Sequence, residues 1–554
     1  MSRFRYSRKL FTVGVALAAC VCMASFSAVS ASVPANYVLD HTFDTDGKVT
    51  TEFSISSSAN SMAVQADGKI LVSGYFNTGS STDFMVVRYN TDGSLDNDFG
   101  AQGKVATDIG TDSWDYGNAV AVQADGKILV AGHTTASSGG AEADIAIVRY
   151  NTDGSPDNTF DTDGKVVTNI TTNSADFGNA VAVQADGKIL VGGHTVSLGT
   201  QDFVVVRYLA DGSPDNTFDT DGKVTTNISA GSSEWGWSIG VQPDGKIIFC
   251  GLYDIGSTQD FAVVRYNADG SPDNTFDTDG KATADVVSGS TDYPRPMILQ
   301  NDGKILVAGL SYVSSRSRFD IGIVRFNTNG SLDQSFDTDG RVNSDVNPEV
   351  PEETLVAMAL DGDGKILVAT TSSNSSDFMV LRYNTNGSLD TTFDADGKIT
   401  TDIDGYDYAR SIAVQPDGKI LVAGTSEGVD YSISLARFKA IPVNQPTTVA
   451  PTETVASTTT VAAAPATTVA PASAPKPVIR VGKLTKGSSL ATYLGLKISK
   501  GSVLRLTVSS ASSKFCSVTS TSVKGKKVGT CRVTVRVTTK GKAASRTVSL
   551  RVTK

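Results

Sequence analysis

With 554 residues, a hydrophobic fraction of 40% and a mean hydropathy of −0.07, the chain exceeds one compact core and is too polar for a membrane bundle. Several domains or a repeat array are therefore expected. The net charge of −10 hides a division: residues 476–554 hold 18 of the 48 Lys and Arg and none of the 58 Asp and Glu, so an acidic body carries a basic tail.

In chain order, the first residues present Arg3, Arg5, Arg8 and Lys9, an apolar run from Leu10 to Val29 and a small-residue site, Val29-Ser-Ala31. This is the pattern of a secretory signal peptide over residues 1–31, with lipid attachment at Cys20 in Leu17-Ala-Ala-Cys20 as the alternative. A secreted or cell-surface location is expected, with no transmembrane segment once the signal is removed.

From residue 33 to 441 the sequence is one repeat of roughly 58 residues. Its anchor is the stretch Gln415 to Gly424, with close copies at Gln65, Gln123, Gln184, Gln242, Gln300 and Asp361. Asp-Gly supplies the positive φ of a tight hairpin, and the Lys-Ile-Leu-Val run behind it reads as a buried strand. Each copy resolves into four strands, A to D, of which A, B and C are expected to be apolar on both faces and D to be a polar edge. Four-stranded units at this period predict an all-β fold, a seven-bladed β-propeller. The Phe landmark before strand D occurs at Phe43, Phe99, Phe160, Phe218, Phe276, Phe336 and Phe393, and the first precedes any A strand. The N-terminal strand, Lys48 to Phe53, is therefore expected to complete the last blade beside Ser432 to Phe438.

The pattern of Val414 to Gly424, joined to that of Arg88 to Phe99, resembles the bacterial delta-60 repeat. That resemblance implies a β-propeller module of exported proteins and brings no catalytic residues.

Strand C ends on an arginine in every copy: Arg88, Arg149, Arg207, Arg265, Arg325, Arg382 and Arg437. Six of them follow an aspartate by five residues: Asp83, Asp144, Asp202, Asp260, Asp320 and Asp377. The expectation is that the arginine of one blade meets a carboxylate of its neighbour and spaces the ring. A catalytic role is not expected of a pair present at almost every blade.

The loops between strands D and A are read as carrying Tyr116, Phe177, Trp235, Trp237, Tyr293 and Tyr408, mostly beside an acid: Asp115, Asp176, Glu234, Asp292 or Asp407. Aromatic platforms with carboxylates suit carbohydrate or peptide binding. The competing reading is that the rings plug the entry to each A strand. His133 and His194, equivalent in adjacent blades, could meet Asp115 and Asp176, but two ligands are fewer than zinc requires, so no metal is expected. The Phe-Asp-Thr-Asp-Gly segments lack the later ligands of a calcium loop and read as turns. No cofactor is expected.

Residues 442–475 are Pro, Thr, Ala and Val with one charge, Glu453, and read as an extended linker. Residues 476–554 alternate as a small β-sandwich. Cys516 and Cys531 resemble the cysteine pair of bacterial Ig-like domains, which implies a disulfide between them. The chain as a whole reads as a non-catalytic recognition scaffold at the bacterial surface, oriented by its basic tail. A monomer is expected, with cell-envelope polymer or an extracellular glycan or protein as partner and no nucleic acid. The alternative is a polysaccharide lyase or glycosidase using Asp or Glu as acid and base.

Overall fold

The Asp-Gly turns set the strands. At Gln184–Lys188 the Gln184 N–H donates to Lys188 O at 2.8 Å, and Gly187 sits at φ +85°, a conformation that glycine alone adopts without cost. The apolar run behind the turn becomes a strand, and each repeat becomes an antiparallel sheet. In blade 3 the order is A (Ala175–Val183), B (Ile189–Ser197), C (Thr200–Tyr208) and D (Lys223–Thr226). The computed structural model describes residues 35–442 except 54–55, 137–141, 198, 257, 315–317, 346–355, 373–375, 395 and 429. Beyond 442 it describes the backbone of strands between 478 and 553; the signal segment and the linker lie outside the described residues.

Seven such blades form the first unit, with B strands Ile70–Asn77 (blade 1), Ile128–Thr135 (blade 2), Ile189–Ser197 (blade 3), Ile247–Asp254 (blade 4), Ile305–Val313 (blade 5), Ile366–Thr371 (blade 6) and Ile420–Glu427 (blade 7). Blades 1 and 2 are joined by a single parallel bridge, Thr82 to Trp114, and among the described residues there is no helix. Apolar clusters fill every seam between neighbouring blades. Leu129, Ile147, Val191 and Val204 join blades 2 and 3, while Leu421 and Leu435 of blade 7 meet Val72, Met85 and Val87 of blade 1, so the array is a closed ring. All seven landmark phenylalanines are fully buried. Each of the first six packs on the turn of the next blade: a Cβ at Gly212 would lie 3.0 Å from Phe160.

The N-terminal closure expected from the sequence is present. Lys48–Thr51 pairs antiparallel with the last strand, from Lys48 opposite Ala436 to Thr51 opposite Ile433. A further strand, Ala35–Leu39, pairs with the far half of that same strand, from Leu39 opposite Phe438 to Ala35 opposite Pro442. Two N-terminal segments therefore complete blade 7.

One arrangement ties strand C to the turn that follows it. In blade 3 Arg207 Nε donates to Asp215 Oδ2 at 2.8 Å, Lys188 Nζ lies 3.3 Å from the same oxygen, and the guanidinium carbon stands 4.5 Å above the Phe218 ring. Arg207 Nη1 also donates to Ala268 O in the next blade. The node recurs around the ring as Arg88–Asp96, Arg149–Asp157, Arg265–Asp273, Arg325–Asp333 and Arg382–Asp390, all at 2.6–2.8 Å. In blade 7 the carboxylate comes from the N-terminal segment: Arg437 Nε donates to Asp40 Oδ2 at 3.1 Å, and Lys419 Nζ is 3.4 Å away. Arg437 Nη1 then reaches Thr91 O of blade 1 at 2.5 Å, repeating the inter-blade bond at the closure.

This corrects the partners expected for the arginines. Asp83, Asp144, Asp202, Asp260, Asp320 and Asp377 stand at the opposite end of strand C, roughly 16 Å along an extended chain from the arginine. The turn after strand C folds back instead, with Asp215 N–H donating to Arg207 O at 3.0 Å, and so delivers the later carboxylate. The inter-blade contact is made by the guanidinium on a backbone carbonyl in six of the nodes, and by Arg382 Nη1 on Tyr37 Oη at 3.1 Å in the seventh. Strand A also departs from expectation: one face is only half-buried, because it looks into the centre of the ring.

In the second unit, Thr448–Lys554, the described strands form a four-stranded sheet, ordered Val478–Arg480, Lys542–Thr553, Gly529–Thr539 and Val503–Val508, and a three-stranded one. The side chains of Cys516 and Cys531, and hence their pairing, lie outside the described residues.

The node makes a discriminating prediction. Burial alone would raise the Asp215 carboxyl, but Thr217, Arg207 and Lys188 hold it down to about 2. Its stabilisation is complete above the ordinary carboxylate range and is lost as pH falls toward 2. Asp215→Ala leaves two cations without their anion and is expected to cost roughly 3–5 kcal/mol at pH 7 and little at pH 2. Asp202→Ala, which removes one bond from Asn227 Nδ2, is expected to cost about 1 kcal/mol. Chemical denaturation at both pH values checks the pair; equal losses would restore the original pairing.

Candidate functional site

The inner strands of six blades carry a one-residue irregularity where they face the axis. Register shifts fall between Ala59 and Ser61, Gly117 and Ala119, Gly178 and Ala180, Gly236 and Ser238, Pro294 and Met297, and Ala409 and Ser411. A bulge of this kind re-aims the side chain it displaces. It also explains the glycine closing the repeat's anchor: a Cβ at Gly193 would lie 1.7 Å from Phe177 O. Blade 6 shows no such shift among its described residues, and there Thr370 occupies the glycine's place.

The displaced residues are Asn60, Asn118, Asn179, Trp237, Arg295 and Arg410, and with Val356 of blade 6 they line one cavity of about 400 Å³. All seven blades contribute. On one arc the amides run head to tail. Asn60 Nδ2 donates to Gly117 O at 3.0 Å and Asn118 Oδ1 at 3.3 Å; Asn118 Nδ2 donates to Gly178 O at 2.9 Å and Asn179 Oδ1 at 3.3 Å. Asn179 Nδ2 ends the run on Gly236 O at 2.9 Å. On the other arc Arg295 lays its guanidinium 3.6 Å above the Trp237 ring, and Arg410 stands beside Tyr408.

Of the six aromatics assigned to D–A loops, the structure places all within strand A, a correction that follows from these strands starting earlier than the apolar run suggests. Tyr116 stacks on His133 at 5.0 Å, His133 meets the edge of Phe177 at 4.9 Å, Phe177 stacks on His194 at 4.8 Å, and His194 approaches Trp237 at 6.2 Å. These rings form a half-buried belt across blades 2 to 4. Trp235 lies opposite Leu252, Tyr293 packs near Phe319, and Tyr408 borders a smaller cavity with Tyr75 and Arg410. Only Trp237 reaches the axial cavity.

The neighbouring acids face the other way, since adjacent residues of a strand alternate. Asp115, Asp176, Glu234, Asp292 and Asp407 are fully buried. Asp115 accepts from Ile109 N–H at 2.7 Å and Thr134 Oγ1 at 2.6 Å, so it fastens the D–A loop, and Asp176 does the same with Ile170 and Thr195. No aromatic–carboxylate platform is assembled from them. His133 and His194 are likewise separated from Asp115 and Asp176; burial holds both imidazoles down to about 4, and Asn118 and Asn179 approach their Nδ1 atoms at 3.4 and 3.3 Å.

The strand C aspartates join these loops. Asp83 gathers with Asp108 and Asp115, Asp260 with Asp285 and Asp292, and Asp377 with Asp402 and Asp407, each set within 4.8 Å. In blades 2 and 3 an asparagine replaces the middle acid and bonds the first: Asn169 to Asp144 at 2.8 Å and Asn227 to Asp202 at 2.9 Å.

The sequence reading missed Asn60, Asn118, Asn179, Arg295 and Arg410. The available signal was positional: the residue that follows stays small in every copy, as Ser61, Ala119, Ala180, Ser238, Pro296, Ala357 and Ser411, yet this position runs Asn, Asn, Asn, Trp, Arg, Val, Arg.

Glu234 supplies a pH test. The Tyr253 ring replaces the Thr or Ser that faces the equivalent acid in blades 2, 3, 5 and 7, and one Glu234 oxygen is buried without a partner among the described residues. Burial pushes its carboxyl up from 4.5 to about 7. The fold therefore favours the neutral acid, and stability drains as pH rises from about 4.5 through 7. Glu234→Gln is expected to match the wild type near pH 4.5 and to exceed it by on the order of 2 kcal/mol at pH 8, measured by thermal unfolding. A difference independent of pH would refute the assignment.

Comparison with known proteins agrees with the architecture. Residues 65–99, 123–160, 184–218, 242–276, 300–336, 362–393 and 415–440 match the model of a family described as a domain of unknown function (DUF5122) beta-propeller. Similar solved structures include a PL25 ulvan lyase bound to a sugar chain, at 14% identity and TM-score 0.42 over 70% of this chain and 95% of that one. Others are a protein of unknown function from Dyadobacter fermentans, at 10% and 0.39 over 71% and 98%, and an α-L-arabinanase from Penicillium chrysogenum, at 11% and 0.36 over 69% and 93%. Likeness at this level carries no argument about activity. No curated protein matches the chain. The chain is an all-β protein built of seven repeated propeller units that match DUF5122.

Proposed function

We propose that this protein is an exported recognition scaffold of the cell surface, oriented by its basic tail, that takes its ligand in the axial cavity. The observation that carries the reading is the contrast between positions. The Arg–Asp–Lys node and the buried loop acids recur from blade to blade, as structural parts must, whereas the cavity-facing position differs in chemical kind around the ring. A site unique to one place in a repeat protein has to be written in the residues that are not repeated. Export rests on the N-terminal Arg3 to Ala31 pattern, and orientation on the 18 cations of residues 476–554.

The second reading, a lyase or glycosidase with a carboxylate acid and base, receives no support from the acids of the inner strands. They are fully buried and fasten loops, and the described residues lining the cavity include no Asp or Glu.

The test is a glycan and peptide array probed with the full chain and with Trp237→Ala. A ligand retained by the wild type and weakened at least about tenfold in the variant is the expected result. Unchanged binding would place the site elsewhere, and release of shortened product from a bound glycan would favour the enzyme.

A further inference from the structure

The two arcs of the cavity differ in what they offer. The amides of Asn60, Asn118 and Asn179 are fixed in orientation by Gly117 O, Gly178 O and Gly236 O, so a neutral polar wall is held in place before any ligand arrives. The facing arc is cationic. Arg295 and Arg410 line the same cavity, and the charge of Arg410 adds to the burial that brings Arg295 down to about 10, still a cation at neutral pH. Elsewhere in this ring a buried arginine has a carboxylate: Arg88, Arg149, Arg207, Arg265, Arg325, Arg382 and Arg437 all do. Arg295, half-buried at the cavity wall, has no such partner among the described residues. Among the described residues no carboxylate, carbonyl or hydroxyl accepts a hydrogen bond from it, and its contact is the Trp237 ring. Stacking on an indole holds the guanidinium plane while leaving its N–H edge for an acceptor. The two cations line one cavity and repel each other, and an anion beside Arg295 relieves that repulsion.

Resting on the axial-cavity reading above, we infer that the ligand is an acidic glycan, whose carboxylate or sulfate lies between Arg295 and Arg410 while its hydroxyls meet the Asn60–Asn118–Asn179 wall. The amide wall distinguishes a sugar from an acidic peptide. With both N–H groups of Asn60 and Asn118 already donating within the wall, its Oδ1 atoms face a ligand as acceptors, and they suit hydroxyl donors, which a saccharide presents on every residue and the side chains of a run of Asp or Glu do not. The cavity, at about 400 Å³, suits one or two sugar units.

The test is isothermal titration of the full chain at low and moderate salt with four probes: a hyaluronan hexasaccharide for carboxylate, a chondroitin sulfate hexasaccharide for sulfate, neutral cellohexaose, and a short poly-glutamate. Wild type and the double variant Arg295→Gln/Arg410→Gln are compared, with Trp237→Ala and the milder Trp237→Phe beside them and circular dichroism to confirm folding. The basic tail is present in every protein, so its nonspecific attraction is common to all. The expected result is binding of one or both acidic sugars, weakened about tenfold or more by the double variant, with less salt dependence after it. Both sugars carry glucuronate carboxylates, so equal binding assigns the carboxylate and a gain with chondroitin sulfate assigns the added sulfate. Several outcomes overturn the inference: equal binding of cellohexaose, binding of poly-glutamate that matches the acidic sugars, acidic-sugar binding unchanged by the double variant, or no binding of any probe. Cellohexaose binding lost in Trp237→Ala but kept in the double variant would leave the axial cavity as the site and remove only its preference for anions.

Discussion

A single buried carboxylate shared by an arginine and a lysine is the interaction on which this ring depends. Taking those charges from water is costly, and the arrangement repays it by geometry: Arg207 bonds Asp215, stacks on Phe218 and reaches Ala268 O of the next blade in one movement. Six of the seven arginines reach a backbone carbonyl of the next blade and Arg382 reaches the Tyr37 hydroxyl of the strand added to blade 7, so every blade is tied to its successor from the same node. The apolar seams then meet in register, and the inner strands arrive at the axis in equivalent positions. Closure obeys the same rule, since Asp40 from the N-terminal segment gives Arg437 the carboxylate that blade 7 lacks.

Repetition at the outside of the blades frees the inside. The bulge in strand A needs only a small residue before it and a glycine across from it, so the displaced side chain is under no packing rule of its own. That is why Asn118, Trp237 and Arg295 can occupy equivalent points of one framework. The buried acids beside them, Asp115 and its equivalents, fasten loops and hold the half-buried belt of Tyr116, His133, Phe177 and His194 at its level. Electrostatics divides accordingly: the carboxylates of the nodes and loops are consumed there, and the described residues lining the cavity bring cations, amides and apolar groups.

Much of the architecture could be read from the residues. The Asp186-Gly187 turn, the apolar Ile189–Gly193 run and the phase of Phe43 relative to the first A strand each have a local physical cause, and local causes survive without coordinates. The partner of Arg207 could not be read that way, because the choice between Asp202 and Asp215 depends on how the chain folds back after strand C. Ala35–Leu39 was equally silent, having no repeat counterpart. At the site, reasoning from residue type drew attention to Tyr116 and Tyr408, whose rings are spent on neighbours. Arg295 escaped notice because a bulge, which decides where it points, leaves no mark in hydrophobic periodicity.

On the proposed function the framework and the site are separable, with stability vested in the nodes and recognition in the bulge residues. The most direct measurement is the unfolding temperature of a chain carrying Trp237→Asn, Arg295→Asn and Arg410→Asn together, which extends the amide arc around the axis. The account predicts melting within a few degrees of the wild type, with the sheet signature intact. Loss of cooperative unfolding, or a fall as large as that caused by breaking a node, would show that these residues hold the ring together and would contradict it.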